Sequence, residues 1–153
     1  MKITDFLSVE TVIPSLVNQE KNAVLQEMAE WLAVNYQSLD KHKVLEVLQE
    51  RERISTTAIG DGVAIPHGKL PGVERVLGVF ARSFQGVDFA SLDGAPTHLF
   101  FLLIAPENAA ADHLKALARI YRLLKDDAFR RRLLAGQTSQ ELYTMIAEED
   151  NRF

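Results

Sequence analysis

Thr97-His-Leu-Phe-Phe-Leu-Leu-Ile-Ala105 is the most apolar stretch of the chain and is followed at once by Pro106. It is too short to span a bilayer and too continuous to be one face of an amphipathic helix. A strand buried on both faces is the natural reading, and such a strand needs helices on both sides of its sheet. The neighbouring segments fit that plan. Arg75 to Ser83 reads as a second strand, and Gln85-Gly86 as a turn into a brief strand at Val87-Asp-Phe89. Val63-Ala64-Ile65 reads as a short strand, and the stretch from Ile3 to Ile13, closed by Pro14, as a strand entering the fold. The expectation is an α/β fold, one domain over residues 1–153, with a frayed tail from Glu148 to Phe153.

Helices supply the covering layers. From Glu20 to Tyr36, Val24, Leu25, Met28, Trp31, Leu32 and Tyr36 recur at helical spacing, which places Trp31 and Met28 in the core. Asp40 suits an N-cap for a second helix through about Arg53. At about 100° per residue, Arg51 falls within the apolar stripe of Val44, Leu45, Val47 and Leu48, while Arg53 points the other way. Asn108 suits the cap of a long helix to Lys125, with Leu114, Leu117, Ile120, Tyr121 and Leu124 as its stripe and Lys115, Arg119 and Arg122 facing solvent. On that wheel His113 also falls among the apolar positions. A short helix from Asp126 to Leu134 ends near Gly136, and Thr138-Ser-Gln-Glu141 has capping-box spacing for a last helix through Ala147.

The chemistry concentrates in Gly60-Asp-Gly-Val-Ala-Ile-Pro-His-Gly68. Pro66 fixes its own φ and biases Ile65 towards an extended conformation, and the flanking glycines allow close approach, so His67 is presented on a shaped turn. An imidazole near its ordinary pKa of about 6.5 is largely neutral and nucleophilic at pH 7. Taken singly, a histidine hydrogen-bonded to a nearby carbonyl explains the turn equally well. Arg51 likewise suits a helix C-terminus in its own right, although an inward guanidinium that cannot lose its proton calls for an anion. Arg51, His67 and His113 together suggest a site for a doubly negative oxyanion, where phosphoryl transfer needs positioning and charge stabilisation. His42 points away from its helix's apolar face, and His98, opening the apolar strand, reads as structural.

Other chemistries are less well served. The 153 residues carry no cysteine and a net charge of −4. Disulfides and thiolate sites are excluded, and nothing suggests a general nucleic-acid binder. There is no His-Glu-x-x-His for zinc, no Gly-x-Ser-x-Gly and no Walker A or Gly-x-Gly-x-x-Gly loop. No metal or cofactor, no membrane insertion and a cytoplasmic location are therefore expected.

Through Arg51-Glu52, Thr56-Thr57, Ile59-Gly60-x-Gly62-Val-Ala-Ile-Pro-His67-Gly68-Lys69 and His113-Leu114, the chain resembles the enzyme IIA proteins of the fructose and mannitol class. These belong to the bacterial phosphoenolpyruvate-dependent phosphotransferase system, and the likeness is strongest to their nitrogen-regulatory branch. It implies a mixed β-sheet sandwiched by helices. It also implies phosphorylation of His67 by a histidine-phosphorylated carrier of the HPr type, with His113 and Arg51 holding the phosphate. Ser55 and Ala58 stand where the family's turn carries glycine. The resemblance leaves three outputs: regulation of nitrogen metabolism through a protein target, delivery of phosphate to a IIB domain for sugar uptake, or a binding module without phosphotransfer. The chain shows neither a transmembrane span nor an attached IIB module, which suits the regulator.

Overall fold

The computed structural model describes residues 1–153. Its centre is a six-stranded mixed sheet in the order β1-β5-β6-β3-β2, with β4 beside β6 as well. The strands are β1 Val12–Ile13, β2 Ala58–Gly60, β3 Val63–Ala64, β4 His67–Lys69, β5 Leu77–Val87 and β6 Thr97–Ala105. Five helices complete the fold: α1 Lys21–Asn35, α2 Lys41–Ile54, α3 Ala110–Leu124, α4 Asp127–Ala135 and α5 Ser139–Asp150.

Strand β6 is dry on both faces, as its composition requires. Phe100, Leu102 and Ile104 enter one core with residues of α1 and α2, including Val24, Leu25, Met28, Val44 and Leu48. Leu99, Phe101, Leu103 and Ala105 enter a second core with Ala116, Ile120, Leu123, Phe129, Leu133, Leu142 and Ile146 from α3, α4 and α5. The strict alternation follows from the two-residue period of a strand. Each large side chain buried this way contributes about 1.5–3 kcal/mol, which makes this strand the strongest organiser of the fold.

β5 runs antiparallel to β6, pairing Leu77 with Ile104 through Arg82 with Leu99, and resumes at Val87 opposite Thr97. The turn expected at Gln85-Gly86 is therefore an irregularity inside one long strand, with Gly86 at φ +87°. On the other edge of β6, β3 and β4 both lie parallel to it, opposite Leu99–Phe100 and Leu103–Ala105 respectively. Pro66 interrupts that edge because it has no N–H to give, yet its carbonyl still accepts from Leu103 N–H at 2.9 Å. His67 thus opens a short strand instead of riding on a turn.

Other differences from the sequence reading have local causes. Between Ile3 and Thr11 the chain makes two 3₁₀ turns, Ile3–Asp5 and Val9–Thr11, leaving only Val12–Ile13 extended. β2 lies within the link Ile54-Ser-Thr-Thr-Ala-Ile-Gly60 between α2 and the His67 segment, to which the sequence reading assigns no strand. α3 begins at Ala110 without a side-chain cap, so Asn108 does not cap it. Its buried face is His113, Ala116, Ile120, Leu123 and Leu124, while Leu114 and Tyr121 are 67% and 53% exposed. His113 is inward as the wheel places it, but the contact face runs through Ala116 and not through Leu114 and Tyr121. Trp31 sits at the margin of α1's buried face and is 37% exposed. Gly136 has an ordinary φ of −65°, and its role is steric: a Cβ there would meet Leu142 Cδ2 at 2.8 Å. The caps at Asp40 and Thr138 form as expected, accepting from His42 N–H and Glu141 N–H.

The first half of the stretch expected to fray is tied down, while Asn151–Phe153 are exposed beyond the helix. α5 continues to Asp150, and Glu149 and Asp150 are 5% and 1% exposed. The Asp150 carboxylate accepts from Ile3 N–H at 2.7 Å and from Arg119 Nε. Arg119, placed among the solvent-facing residues by its spacing, is thereby drawn against α5. Replacing Asp150 by Ala leaves the buried Ile3 N–H without its acceptor and removes the carboxylate from Arg119, which keeps only the backbone carbonyl of residue 150 at 3.0 Å, a loss of about 3 kcal/mol. Urea unfolding of Asp150→Ala against the parent chain measures it, and an unchanged midpoint contradicts the assignment.

Candidate functional site

The register of β4 against β6 decides where its side chains go. His67 pairs with Leu103 and Lys69 with Ala105, both on the α3 side, whereas Gly68 pairs with Ile104 on the α2 side. His67 accordingly meets His113 from α3, with ring centroids 5.4 Å apart and planes at 74°. Gly68 meets Val47 of α2, whose Cγ2 would lie 3.0 Å from a Cβ at that position. The missing side chain lets α2 approach β4, and Arg51 stands one helical turn beyond Val47 on the same face.

Arg51 is half-buried, as its wheel position implies, while Arg53 is exposed. Its Nη1 donates to Ser55 O at 2.8 Å, closing the end of α2. Its charge nevertheless reaches the imidazole of His67 and disfavours a second positive charge there. The structure therefore brings His67 and His113 into ring contact and puts Arg51 within electrostatic reach, anchored to its own turn. His42 lies exposed elsewhere on α2, and Nδ1 of His98 pairs with Ser83 O at 2.8 Å, a structural role.

The hydrogen bond to a carbonyl that a purely structural His67 would make is present. Nδ1 of His67 lies 2.7 Å from Ile65 O. A carbonyl can only accept, so Nδ1 carries the proton, and the neutral ring keeps its lone pair on Nε2. Burial is the main cause holding His67 below the ordinary imidazole value; the Ile65 carbonyl opposes it, Arg51 adds to it and Glu52 opposes it. Burial also pushes His113 down, to about 4, with smaller contributions from His67 and Lys69. Near neutral pH both rings are uncharged. His113 is 6% exposed, and its Nε2 is buried with no hydrogen-bond partner. A buried orphan of this kind costs stability unless something else supplies its partner. No group of three or more His, Asp or Glu side chains is placed to hold a metal ion. No helix is long and apolar enough to cross a membrane.

Sequence spacing did not disclose the support beneath this pair. Glu52, next to Arg51, accepts from Thr57 N–H at 3.0 Å and from the Thr57 hydroxyl, and Lys21 Nζ lies 3.0 Å from it. Glu52 and Thr57 stand among the residues that carry the family resemblance, but nothing in their spacing shows that they bond to each other.

Depressed histidines give stability a defined pH dependence. As pH falls below about 6.5 the unfolded chain takes up protons that folded His67 and His113 refuse, so stability is lost between pH 6.5 and about 4. Above 6.5 both states are neutral and these groups contribute no slope. Substituting His113→Gln is expected to remove on the order of 3 kcal/mol of that loss. Chemical denaturation at pH 7 and pH 4 checks it, since equal losses in both proteins contradict the buried neutral ring.

A sequence profile of the family described as phosphoenolpyruvate-dependent sugar phosphotransferase system, EIIA 2, matches residues 5–149. A nitrogen regulatory protein of Bradyrhizobium diazoefficiens is 48% identical over 147 residues, covering 96% of this chain and 95% of its own length. The fructose-specific EIIABC component of Bacillus subtilis is 37% identical over 150 residues, covering 98% of this chain and 24% of its own. The crystal structure of nitrogen regulatory protein IIA-Ntr from Neisseria meningitidis superposes with a TM-score of 0.88 at 30% identity, covering 94% of this chain and 98% of that one.

Proposed function

Because the chain belongs to the EIIA 2 family of the phosphoenolpyruvate-dependent sugar phosphotransferase system, a family of phosphoryl carriers, we propose that Nε2 of His67 is the atom that carries the phosphoryl group. The observation that carries this reading is the 2.7 Å bond from Nδ1–H of His67 to Ile65 O. It fixes the tautomer and leaves Nε2 with a free lone pair, without any need for a general base.

The step is a transfer between two imidazoles. The Nε2 lone pair forms a bond to phosphorus as the P–N bond of a phosphohistidine on an HPr-type carrier breaks, and the donor ring keeps that electron pair. The Nδ1 proton of His67 stays in place throughout. The loose transition state spreads negative charge over the equatorial oxygens, which must find donors. His113, protonated on its unpartnered Nε2, donates one hydrogen bond to those oxygens, and the Arg51 guanidinium supplies positive charge. His113 also stands just beyond the first turn of α3, where uncapped amides favour an anion. Neutral imidazoles matter here because a protonated His67 has no lone pair with which to attack.

The output favoured by the near-full-length likeness is regulatory: the phosphorylated and free forms differ in their action on a protein target of nitrogen or general metabolism. The fructose-specific relative supports a second reading, in which phosphate passes on to a IIB domain for sugar uptake. Phosphotransfer to isolated IIB domains of the fructose and mannitol types separates the two. Transfer no faster than background fits the regulator, and rapid transfer fits the sugar component.

Incubated with phosphoenolpyruvate, enzyme I and an HPr-type carrier, the protein is expected to gain acid-labile phosphate, with ³¹P–¹⁵N coupling placing it on Nε2. His67→Ala should gain none; uptake equal to the parent's overturns the assignment. Folded His113→Ala and Arg51→Ala should each accept phosphate about 10²-fold more slowly, the usual cost of removing one transition-state donor.

A further inference from the structure

The bond that orients His67 is itself suspended from another residue. Ile65 offers its carbonyl to the ring, and Pro66 follows without an N–H that could secure the link from its far side. Ile65 is held by its own N–H, which donates to Thr57 O at 3.1 Å. Thr57, 4% exposed, is in turn gripped twice by Glu52, through its N–H at 3.0 Å and through its hydroxyl. The Glu52 side chain is 5% exposed, and Lys21 Nζ, at 3.0 Å, neutralises it while resting over the Phe89 ring at 4.6 Å. Ser55, inside the same short turn, supplies the carbonyl that anchors Arg51. One buried carboxylate thus governs a turn whose two sides lead to two groups of the site.

We propose that Glu52 is the positioning residue of the phosphoryl-transfer site: through Thr57 it sets the Ile65 carbonyl that selects the Nδ1–H tautomer of His67, and through the Ser55 turn it sets the anchor of Arg51. The proposal rests on His67 as the phosphate acceptor. Glu52 touches neither phosphate nor imidazole, and its action runs through hydrogen bonds of the backbone. Its charge works in the same direction, since it is among the influences that favour a positive His67 ring. The ring becomes positive when Nε2 bonds to phosphorus while Nδ1 keeps its proton. A misplacement of the carbonyl by a fraction of an ångström admits the other tautomer, whose proton occupies the attacking nitrogen.

The test compares Glu52→Gln, Thr57→Val and Thr57→Ser in the full chain, with two readouts. ¹⁵N NMR of the His67 ring reports the tautomer without any phosphate donor, and the HPr-type carrier assay reports the phosphorylation rate. Glu52→Gln and Thr57→Val are expected to show a mixture of tautomers and phosphorylation slower by about tenfold or more. Thr57→Ser, which keeps the hydroxyl, is expected to behave as the parent. A Glu52→Gln protein that retains the single Nδ1–H tautomer and the parent rate overturns the proposal and leaves His67 as acceptor intact. If the parent takes no phosphate on His67, the functional reading fails instead, and the tautomer comparison still decides whether Glu52 orients the ring. Should Glu52→Gln not fold, Thr57→Val against Thr57→Ser makes the same comparison with the carboxylate untouched, and equal tautomers and rates in those two overturn the proposal.

Discussion

Strand β6 has no wet face, and the rest of the molecule is arranged to keep it so. Alternate residues feed two separate cores, and each core must be closed by its own helices. The same alternation is handed across the sheet to β4, its parallel neighbour. A three-residue strand thereby faces α3 with His67 and Lys69 and faces α2 with Gly68. The site sits at the end of the sheet because both helical layers can reach a single edge strand there, one bringing His113 and the other Arg51. Neither layer alone could assemble it.

Desolvation sets the chemistry of that edge more than any ion pair does. It is the leading cause of the depressed proton affinity of both histidines. The expected consequence is a loss of stability in acid, and near neutral pH both rings stay uncharged. A histidine satisfied by a carbonyl and a histidine poised to attack are usually weighed as rival interpretations. On the reading proposed for His67 the Ile65 carbonyl makes them the same residue, since satisfying Nδ1 leaves the lone pair on Nε2. The unpartnered Nε2 of His113 is the complementary case, a buried ring nitrogen that the fold leaves without a partner.

Much of this was legible in the residues because it depends on local period and local chemistry. The nine-residue apolar run of β6 announced two covering layers, and Asp40 and Thr138 announced helix starts. A wheel sufficed to prefer Arg51 to Arg53 and to turn His113 inward. Similar wheels misjudged Leu114 and Tyr121 on α3 and Trp31 on α1, because the exact rotation of a helix is decided by the layer packed against it and not by its own spacing. Two-residue and three-residue strands such as β2 and β3 exist only through their partners and carry almost no pattern of their own. The Asp150 carboxylate reaches back to Ile3 across 147 positions, a contact that no local rule contains. The grip of Glu52 on Thr57 spans only five positions, yet the bond itself was hidden: both residues stand in the stretch that carries the family resemblance, but spacing alone does not show that the acid is buried.

That bond between Ile3 and Asp150 makes the backbone topologically close to a ring. The first ordered turn and the last helix meet at one place, so the order in which the elements are strung matters less than their contacts. The exposed turns at Gly72 and Gly94, where an added Cβ would meet nothing within 4 Å, are natural points at which such a ring could be cut and its old ends joined. A circularly permuted chain would then trace the same path through both cores, with the imidazole pair undisturbed.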